Sequence, residues 1–156
     1  MGNKADVVTC NTMIDGYMWK GLVDEAKTLF GQMGNKADVV TWTTMIDGYM
    51  KNGLVDEAKT LFGQMGNKAD VVTCTTMIDG YMRNGQVLDA EDLFNQMKKG
   101  PVGQQPNVIT WNTMIGGCMK NGLVDGAKPR CGVMGREDDV ITCNTMIGGQ
   151  LRTGQV

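Results

Sequence analysis

Histidine is absent from this 156-residue chain, and only 6% of the residues are aromatic. Without an imidazole side chain the protein has no Ser-His or Cys-His dyad, no histidine general base and no histidine metal ligand. The sequence also lacks a phosphate-binding glycine loop and the His-x-Glu and Cys-x-x-Cys signature of zinc deaminases. We therefore predict that the protein is not an enzyme and uses no metal or other cofactor.

Long apolar runs and paired cysteines are missing as well. No stretch reaches the roughly 18 apolar residues of a membrane-spanning helix, so we expect no membrane contact. The first residues have no apolar core of a secretory signal, and no transit peptide is visible. The five cysteines are odd in number and none forms a Cys-x-x-Cys pair, which disfavours a disulfide framework or a zinc site and favours a reducing compartment.

Glycine and methionine are abundant instead, with 22 and 14 residues, and they recur because the sequence repeats itself. Residues 7–38 and 39–70 differ only at four positions, where Cys10, Asn11, Trp19 and Lys20 are replaced by Trp42, Thr43, Lys51 and Asn52. We divide the chain into the tail of a preceding unit, four units and a partial fifth, at 1–6, 7–38, 39–70, 71–107, 108–139 and 140–156.

Each unit has the pattern of two helices, as the second unit illustrates. Asp38 or Thr41 can cap the first helix, and Asn52-Gly53 ends it, because glycine tolerates the left-handed conformation of a helix end. Apolar residues at helical spacing form one stripe on the first helix and one on the second. The members of these stripes are Met45, Ile46 and Tyr49, then Ala58, Leu61, Phe62 and Met65. Residues 66–69 are predicted to form a short loop.

A single helical hairpin cannot bury both of its faces, so successive hairpins must stack. We predict an all-α fold, an α-solenoid of antiparallel helix-turn-helix repeats in which the first helices line one surface. The third unit carries a predicted loop insertion at 98–106, where two prolines and two glycines cluster. The second helix of the fourth unit, near 123–134, is expected to be distorted because Gly126 and Pro129 interrupt it.

The repeated pattern resembles the pentatricopeptide repeat family. It consists of Val-Val-Thr-x-Asn-Thr-Met-Ile-Asp-Gly-Tyr, Asn-Gly and Asp-Glu-Ala-x-x-Leu-Phe-x-x-Met. It occurs at 7–33, 39–65 and 71–97, and in part at 108–119 and 140–149. The first-helix signature of tetratricopeptide repeats is missing. The short units are similar to the plant subclass that mixes repeat lengths, and the resemblance implies a right-handed superhelix.

This resemblance implies sequence-selective binding of single-stranded RNA, one base per repeat, in RNA processing or editing in a plant mitochondrion or chloroplast. Other RNA-processing or editing factors are further partners that it suggests. Two side chains of each repeat are implied to read a base, and the pairs are Asn11 with Asp38, Thr43 with Asp70, Thr75 with Asn107, and Asn112 with Asp139. By the family's pairing rule they imply 5′-UGAU-3′. Asn144 lacks a closing partner. The aliphatic residues implied to sandwich the bases are Val8, Val40, Val72, Ile109 and Ile141.

The charges in the sequence give mixed evidence on RNA binding. The formal net charge is −2, whereas nucleic-acid-binding domains usually present a basic face. A basic residue nevertheless recurs near the end of successive first helices, and we predict that this basic row contacts phosphates through Lys51, Arg83, Lys120 and Arg152. Trp19 interrupts the row in the first unit. The neighbouring Asp15, Asp47 and Asp79 are predicted to oppose RNA binding.

Other interpretations of the same residues stay open at this point. The polar residues at the reading positions are also suited to solvated or capping roles, and Asp38, Asp70 and Asp139 are natural helix caps. Trp42 and Trp111 suit packing between units better than base stacking. The whole chain is also compatible with a helical-repeat scaffold for a protein partner, or with a non-functional truncated gene fragment.

Overall fold

A computed structural model describes residues 4–101 and 104–122, and in this part of the chain all regular secondary structure is helical. The α-helices are α1 (Lys4–Trp19), α2 (Val23–Met33), α3 (Val39–Lys51), α4 (Val55–Met65), α5 (Val71–Arg83), α6 (Val87–Lys99) and α7 (Val108–Lys120). Two 3₁₀ turns, Gly34–Lys36 and Gly66–Lys68, follow α2 and α4. None of these helices is both long and apolar enough to span a bilayer.

Side-chain caps fix where α3, α5 and α7 begin. The Asp38 carboxylate accepts a hydrogen bond from the Thr41 backbone N–H at 2.9 Å, and the Thr41 hydroxyl accepts one from the Asp38 N–H at 3.2 Å. This reciprocal pair satisfies two backbone donors that an uncapped helix leaves free. Asp70 caps α5 and Asn107 caps α7 in the same position. The predicted cap is therefore confirmed, and the Val-Val pair lies within the first turn of the helix.

An Asn-Gly pair ends α3, as predicted. Gly53 has a φ of 74°, a left-handed conformation that glycine adopts without steric cost. The Asn52 side chain donates to the Gly48 carbonyl of its own helix at 2.8 Å and to the Met18 carbonyl of α1 at 2.9 Å. One amide thus closes its own helix and ties that helix to the preceding one. The amides of Asn84 and Asn121 make the same two contacts on α5 and α7.

The helices form two layers joined by a methionine-rich core. Helices α1, α3, α5 and α7 pack against one another in succession, and each even-numbered helix packs on the odd-numbered helix before it. The predicted stripe of α3 is buried, and so are Ala58, Leu61 and Met65 of α4, whereas Phe62 is half-buried. These contacts define an α-solenoid in which the odd-numbered helices share one surface, which confirms the predicted fold class.

One local prediction differs from the structure and another gains detail. The predicted short loop at 66–69 contains a 3₁₀ turn at Gly66–Lys68, in which the Ala69 N–H donates to the Gly66 carbonyl. Lys98 and Lys99 belong to α6, so the predicted loop at 98–106 begins two residues later, at Gly100. Basic residues in a last turn interact favourably with the helix dipole, which explains this extension. Residues 4–6 of the predicted tail form the first turn of α1, so this helix begins earlier than the predicted unit boundary. Residues 1–3, the distorted helix predicted near 123–134 and the partial unit at 140–156 lie outside the described residues.

Glycine allows the odd-numbered helices to approach closely. A Cβ atom placed on Gly48 would lie 2.7 Å from the Met18 Cβ, and the same conflict exists between Gly80 and Met50 and between Gly117 and Met82. Gly16 occupies the equivalent position on α1, and a Cβ there meets nothing within 4 Å. The chain therefore contains both a crowded and an open version of one position.

We expect Gly48→Ala to destabilise the protein and Gly16→Ala to stabilise it. Alanine raises helix propensity by about 1 kcal/mol at either site. At Gly48 the added methyl group would lie 2.7 Å from the Met18 Cβ, which cannot move without its helix, so we expect an overpacking cost of about 2–3 kcal/mol, larger than that gain. Urea unfolding followed by circular dichroism measures both changes. Equal stabilisation by the two substitutions would contradict the close approach of α1 and α3.

Candidate nucleic-acid interface

Several of the predicted binding residues meet in an open groove along the odd-numbered helices, whereas Asp38 lines a separate depression beside Trp42. A depression of about 590 Å³ lies across α1, α3 and α5. Its walls include aliphatic, reading and cap residues from three successive units, namely Val8, Asn11, Val40, Thr43, Asp70 and Val72. A second depression, between α5 and α7, is lined in part by Arg83, Asn112 and Lys120. Asp139, Ile141, Asn144 and Arg152 lie outside the described residues, so their predicted roles stay predictions.

The aliphatic residues predicted to sandwich bases form a regular exposed row. Val8, Val40, Val72 and Ile109 are 62%, 61%, 64% and 66% exposed. Single exposed aliphatic residues are common on protein surfaces, but these four recur at one register with nearly equal exposure. Each branched side chain stands in the second position of its unit, beside the residue predicted to read a base. The row therefore offers apolar surface at a regular interval along the groove.

The two described asparagines at reading positions each keep one polar atom without a partner. Asn11 Oδ1 and Asn112 Oδ1 are buried and accept no hydrogen bond from any residue that the structure describes. The Asn11 side chain also hydrogen-bonds the Asp38 carboxylate, which orients its amide. A carboxylate only accepts hydrogen bonds, so the amide nitrogen faces Asp38 and the carbonyl oxygen is left to accept from another donor.

Threonine presents different chemistry at the same position. The Thr43 hydroxyl lies 2.8 Å from the Val39 carbonyl of its own helix and 2.9 Å from the Thr73 hydroxyl of α5. Its single proton is used within the protein by either contact, so Thr43 offers a ligand only a lone pair. Thr75 repeats this geometry with Val71 at 2.7 Å and Thr110 at 2.8 Å. Both threonines therefore act as acceptors towards the groove.

The residues predicted to close each reading pair are also helix caps. Burial alone would raise the pKa of the Asp38 carboxyl, but hydrogen bonds from the backbone and hydroxyl of Thr41 and from the Asn11 side chain outweigh it. The pKa of Asp38 is therefore held below its ordinary value of 3.8. Asn107 accepts the equivalent bonds from Thr110 with a neutral amide oxygen. The capping role is observed, and it is compatible with base reading because a carboxylate has several acceptor sites.

The predicted basic row is partly neutralised by the carboxylates beside it. Lys51 forms an ion pair with Asp47 at 2.6 Å, and Arg83 forms one with Asp79. Gly116 stands where the first three units have aspartate, so no carboxylate precedes Lys120 by one turn. Trp19 stands at the equivalent place on α1 and is 81% exposed. Positive charge along the groove rim is thus weaker than the sequence of basic residues alone suggests.

The remaining distinctive side chains serve packing. Trp42 makes an edge-to-face contact with Phe30 at a centroid distance of 5.2 Å, and Trp111 makes one with Phe94 at 4.8 Å. These rings join the second helix of one unit to the first helix of the next, as the packing interpretation predicted.

Burial, and secondarily the charge of Asp70, raise the pKa of the Cys74 thiol to about 11. The thiol is therefore protonated at neutral pH and a poor nucleophile.

One set of residues was missed by the sequence reasoning. Thr41, Thr73 and Thr110 are fully buried, and Thr73 and Thr110 contact both residues of a predicted reading pair. The signal that points to them is a threonine at the third position of every unit, which was interpreted only as a helix cap. Within the described part of the chain, no group of three or more potential metal ligands comes together.

Comparison with protein-family models matches most of the chain. A model of the PPR repeat family matches residues 5–37 and 69–103, and a PPR repeat model matches residues 34–66 and 102–128. A comparison with curated protein sequences finds no match.

Solved structures share the fold. The chain is similar to the crystal structure of the pentatricopeptide repeat protein PPR10 from maize, with a TM-score of 0.74, 24% identity and coverage of 99% of this chain and 23% of that one. It is also similar to PPR10 in complex with an 18-nt psaJ RNA element, with a TM-score of 0.71, 25% identity and coverage of 88% and 21%. The chain thus spans less than a quarter of the length of the maize protein.

The cap residues predict a difference in acid stability. Because the folded pKa of Asp38 is lowered, its contribution to the free energy of unfolding is present above pH 3.8 and is lost as pH falls through the folded pKa. We expect Asp38→Asn to reduce the loss of stability between pH 7 and pH 3. Asn107→Asp should increase that loss, since it creates the same carboxylate cap on α7. Urea unfolding across this pH range measures the effect in the wild-type protein and in both variants. An identical acid dependence in all three proteins would contradict a lowered pKa of the Asp38 carboxyl in the folded state.

Proposed function

The chain belongs to the pentatricopeptide repeat family, and from this membership we propose that it binds single-stranded RNA in the groove of α1, α3, α5 and α7. One observation carries the proposal. Aliphatic residues, reading residues and a cap residue of successive units line one groove across α1, α3 and α5, namely Val8, Val40, Val72, Asn11, Thr43 and Asp70. PPR10, whose fold is similar, is solved in complex with RNA. Family membership also agrees with the prediction that the chain is not an enzyme.

Each repeat is proposed to hold one base between two aliphatic side chains. Flat bases stack on apolar surface, and Val8 and Val40 flank Asn11 as Val40 and Val72 flank Thr43. Repeat boundaries at 7–38, 39–70, 71–107 and 108–139 then give each base one reading pair. Ile109 and Ile141 continue this row for the last two bases.

The chemistry of the reading residues supports the proposed sequence 5′-UGAU-3′. An asparagine amide carries both an acceptor and donors, which suits the imide N–H and the carbonyl oxygens of uracil, and Asn11 and Asn112 occupy the first and fourth reading positions. The Thr43 hydroxyl accepts only, which suits an N–H of guanine, and Thr75 suits the amino group of adenine. Asp38, Asp70, Asn107 and Asp139 complete the pairs, while Asn144 favours a pyrimidine after the fourth base.

Phosphate contacts are assigned to Lys51, Arg83, Lys120 and Arg152 at the groove rim. Their number is small and two of them are paired with aspartates, so the electrostatic part of the affinity is modest.

The biological role that we propose is processing or editing of organellar RNA together with other processing factors, in a mitochondrion or chloroplast. Selection of one site in a whole transcriptome needs more than four bases, which a longer array or a partner would supply.

The first test measures base selectivity by fluorescence anisotropy. Labelled RNAs containing UGAU, UAAU and UUAU are titrated with the protein, and we expect the tightest binding to UGAU. Thr43→Asn converts the second pair into the Asn-Asp combination of the first, so it should shift the preference from UGAU to UUAU. A mismatch at one base typically costs a factor of about ten or more in affinity.

The other outcomes of this titration separate the alternatives. Equal and strongly salt-dependent binding to all three RNAs would leave only nonspecific contact with the basic row. No binding at low salt by a protein with a helical circular-dichroism spectrum would overturn RNA binding. That result would favour the helical-repeat scaffold or the non-functional fragment.

The ion pairs predict that removing a carboxylate strengthens RNA binding. We expect Asp47→Asn to tighten binding roughly two- to fivefold, because it frees Lys51 and removes a negative charge from the groove. It should also steepen the dependence of log K on log salt by about 0.7, the value for one more contact to a single strand. Asp56→Asn, on the exposed first turn of α4, is the matched control. An equal effect of both substitutions would show that only net charge matters.

A further inference from the structure

Three threonine hydroxyl groups are buried, and each has hydrogen-bond partners within the protein. Thr41, Thr73 and Thr110 are 0% exposed, and they are the buried polar residues of the described part of the chain. A buried hydroxyl without partners would cost several kcal/mol on an apolar-transfer scale. Each of these hydroxyls therefore needs a hydrogen-bond partner, and the partners show which residues the repeated spacing of the helices brings together.

At the junction of α3 and α5, Thr73 lies between two residues assigned to the second base. Its hydroxyl donates to the Asp70 carboxylate at 2.8 Å and lies 2.9 Å from the Thr43 hydroxyl. Because an ionised carboxylate only accepts, the Thr73 proton points to Asp70 and its lone pair faces Thr43. The contact between the two hydroxyls needs one proton, and Thr43 supplies it in place of its alternative bond to the Val39 carbonyl. Hydrogen bonds thus run from Thr43 through Thr73 to Asp70.

The next junction repeats the arrangement with one change. Thr110 lies 2.8 Å from the Thr75 hydroxyl and donates to Asn107 Oδ1 at 3.0 Å. The chain of hydrogen bonds ends on a neutral amide oxygen instead of a carboxylate. Charge-assisted hydrogen bonds are stronger than neutral ones, and linked hydrogen bonds polarise one another. Thr43 and Thr75 are identical side chains, but Thr43 is the stronger acceptor because its chain ends on a charge.

We propose that Thr73 and Thr110 are positioning residues for base recognition, which join the two reading residues of the preceding repeat through a buried hydroxyl. This inference rests on the proposed RNA-binding function. Each hydroxyl holds the reading threonine in one rotamer and transmits the difference between Asp70 and Asn107 to it. The threonines need not touch RNA. They explain how a cap residue at the end of one repeat changes the hydrogen-bonding character of a residue on the preceding first helix.

The first repeat provides an internal control. Asn11 hydrogen-bonds Asp38 directly, so its link to the cap does not pass through a third residue. Thr41 donates to Asp38 at 2.9 Å, as Thr73 donates to Asp70. Removing the Thr41 hydroxyl takes the same donor from a cap carboxylate as removing that of Thr73, and it also removes the acceptor of the Asp38 N–H, but it leaves the first reading pair connected.

The experiment compares three variants of the full chain by RNA titration. Thr73→Val removes the hydroxyl and keeps the shape, Thr73→Ser restores a hydroxyl, and Thr41→Val is the matched control. Selectivity at the second base is the ratio of dissociation constants for UAAU and UGAU, and selectivity at the first base is the ratio for AGAU and UGAU. Titrations are made at a temperature where circular dichroism shows every variant folded.

We expect Thr73→Val to lower second-base selectivity about tenfold, the size of one lost hydrogen bond, and to leave first-base selectivity unchanged. Thr73→Ser should recover the wild-type ratio, and Thr41→Val should keep both ratios. Rescue by serine separates positioning from a loss of stability, which would weaken binding to all RNAs equally.

Two results would overturn the inference in distinguishable ways. A wild-type protein without preference between UGAU and UAAU would overturn base reading itself, and with it this role of Thr73. A wild-type preference that Thr73→Val retains would overturn only the positioning role and leave the proposed function standing. If Thr73→Val does not fold, Thr110→Val measured with UGAU and UGGU applies the same criteria to the third base.

Discussion

The close approach of successive odd-numbered helices is the constraint on which the rest of the structure depends. Glycine at positions 48, 80 and 117 leaves room for a methionine side chain of the preceding helix, and an asparagine amide at each helix end binds the carbonyl of that same methionine. The two contacts contribute in different ways to the close packing of these helices. Glycine permits the short distance, and the asparagine hydrogen bond holds the register, so that each hairpin repeats the position of the one before it.

This register creates the groove chemistry. Thr43 and Thr73 are 30 residues apart in sequence, yet their hydroxyl oxygens lie 2.9 Å apart because α3 and α5 are held side by side. A shift of one helix by a fraction of a turn would break that contact and bury the exposed aliphatic row unequally. The nearly constant exposure of Val8, Val40, Val72 and Ile109 shows that the register is maintained along the described helices. Packing on the buried side thus determines spacing on the binding side.

Local sequence signals were sufficient for much of the fold but not for the contacts between repeats. The helix pairs, the Asp38 cap and the Asn52-Gly53 helix end follow from patterns within one unit, and the structure confirms them. The extension of α6 through Lys99 was missed because two glycines and two prolines nearby suggested a loop. The hydrogen-bonded link from Thr43 through Thr73 to Asp70 was missed for a different reason. Its partners belong to two helices, and only the packed distance between those helices decides whether their hydroxyls meet.

The electrostatics of the groove favour selectivity over affinity. Affinity that comes from phosphates is largely independent of sequence, and here Asp47 and Asp79 neutralise the basic residues that would supply it. Under the proposed function, base contacts provide a larger share of the binding free energy, because the net charge of −2 offers no compensating field. Phosphate contacts add equally to the affinity for a matching and a mismatched RNA, so they cancel in the ratio of the two affinities. The proposed selectivity therefore rests on how the protein orients the acceptors of Thr43 and Thr75, which the hydrogen bonds between α3, α5 and α7 determine.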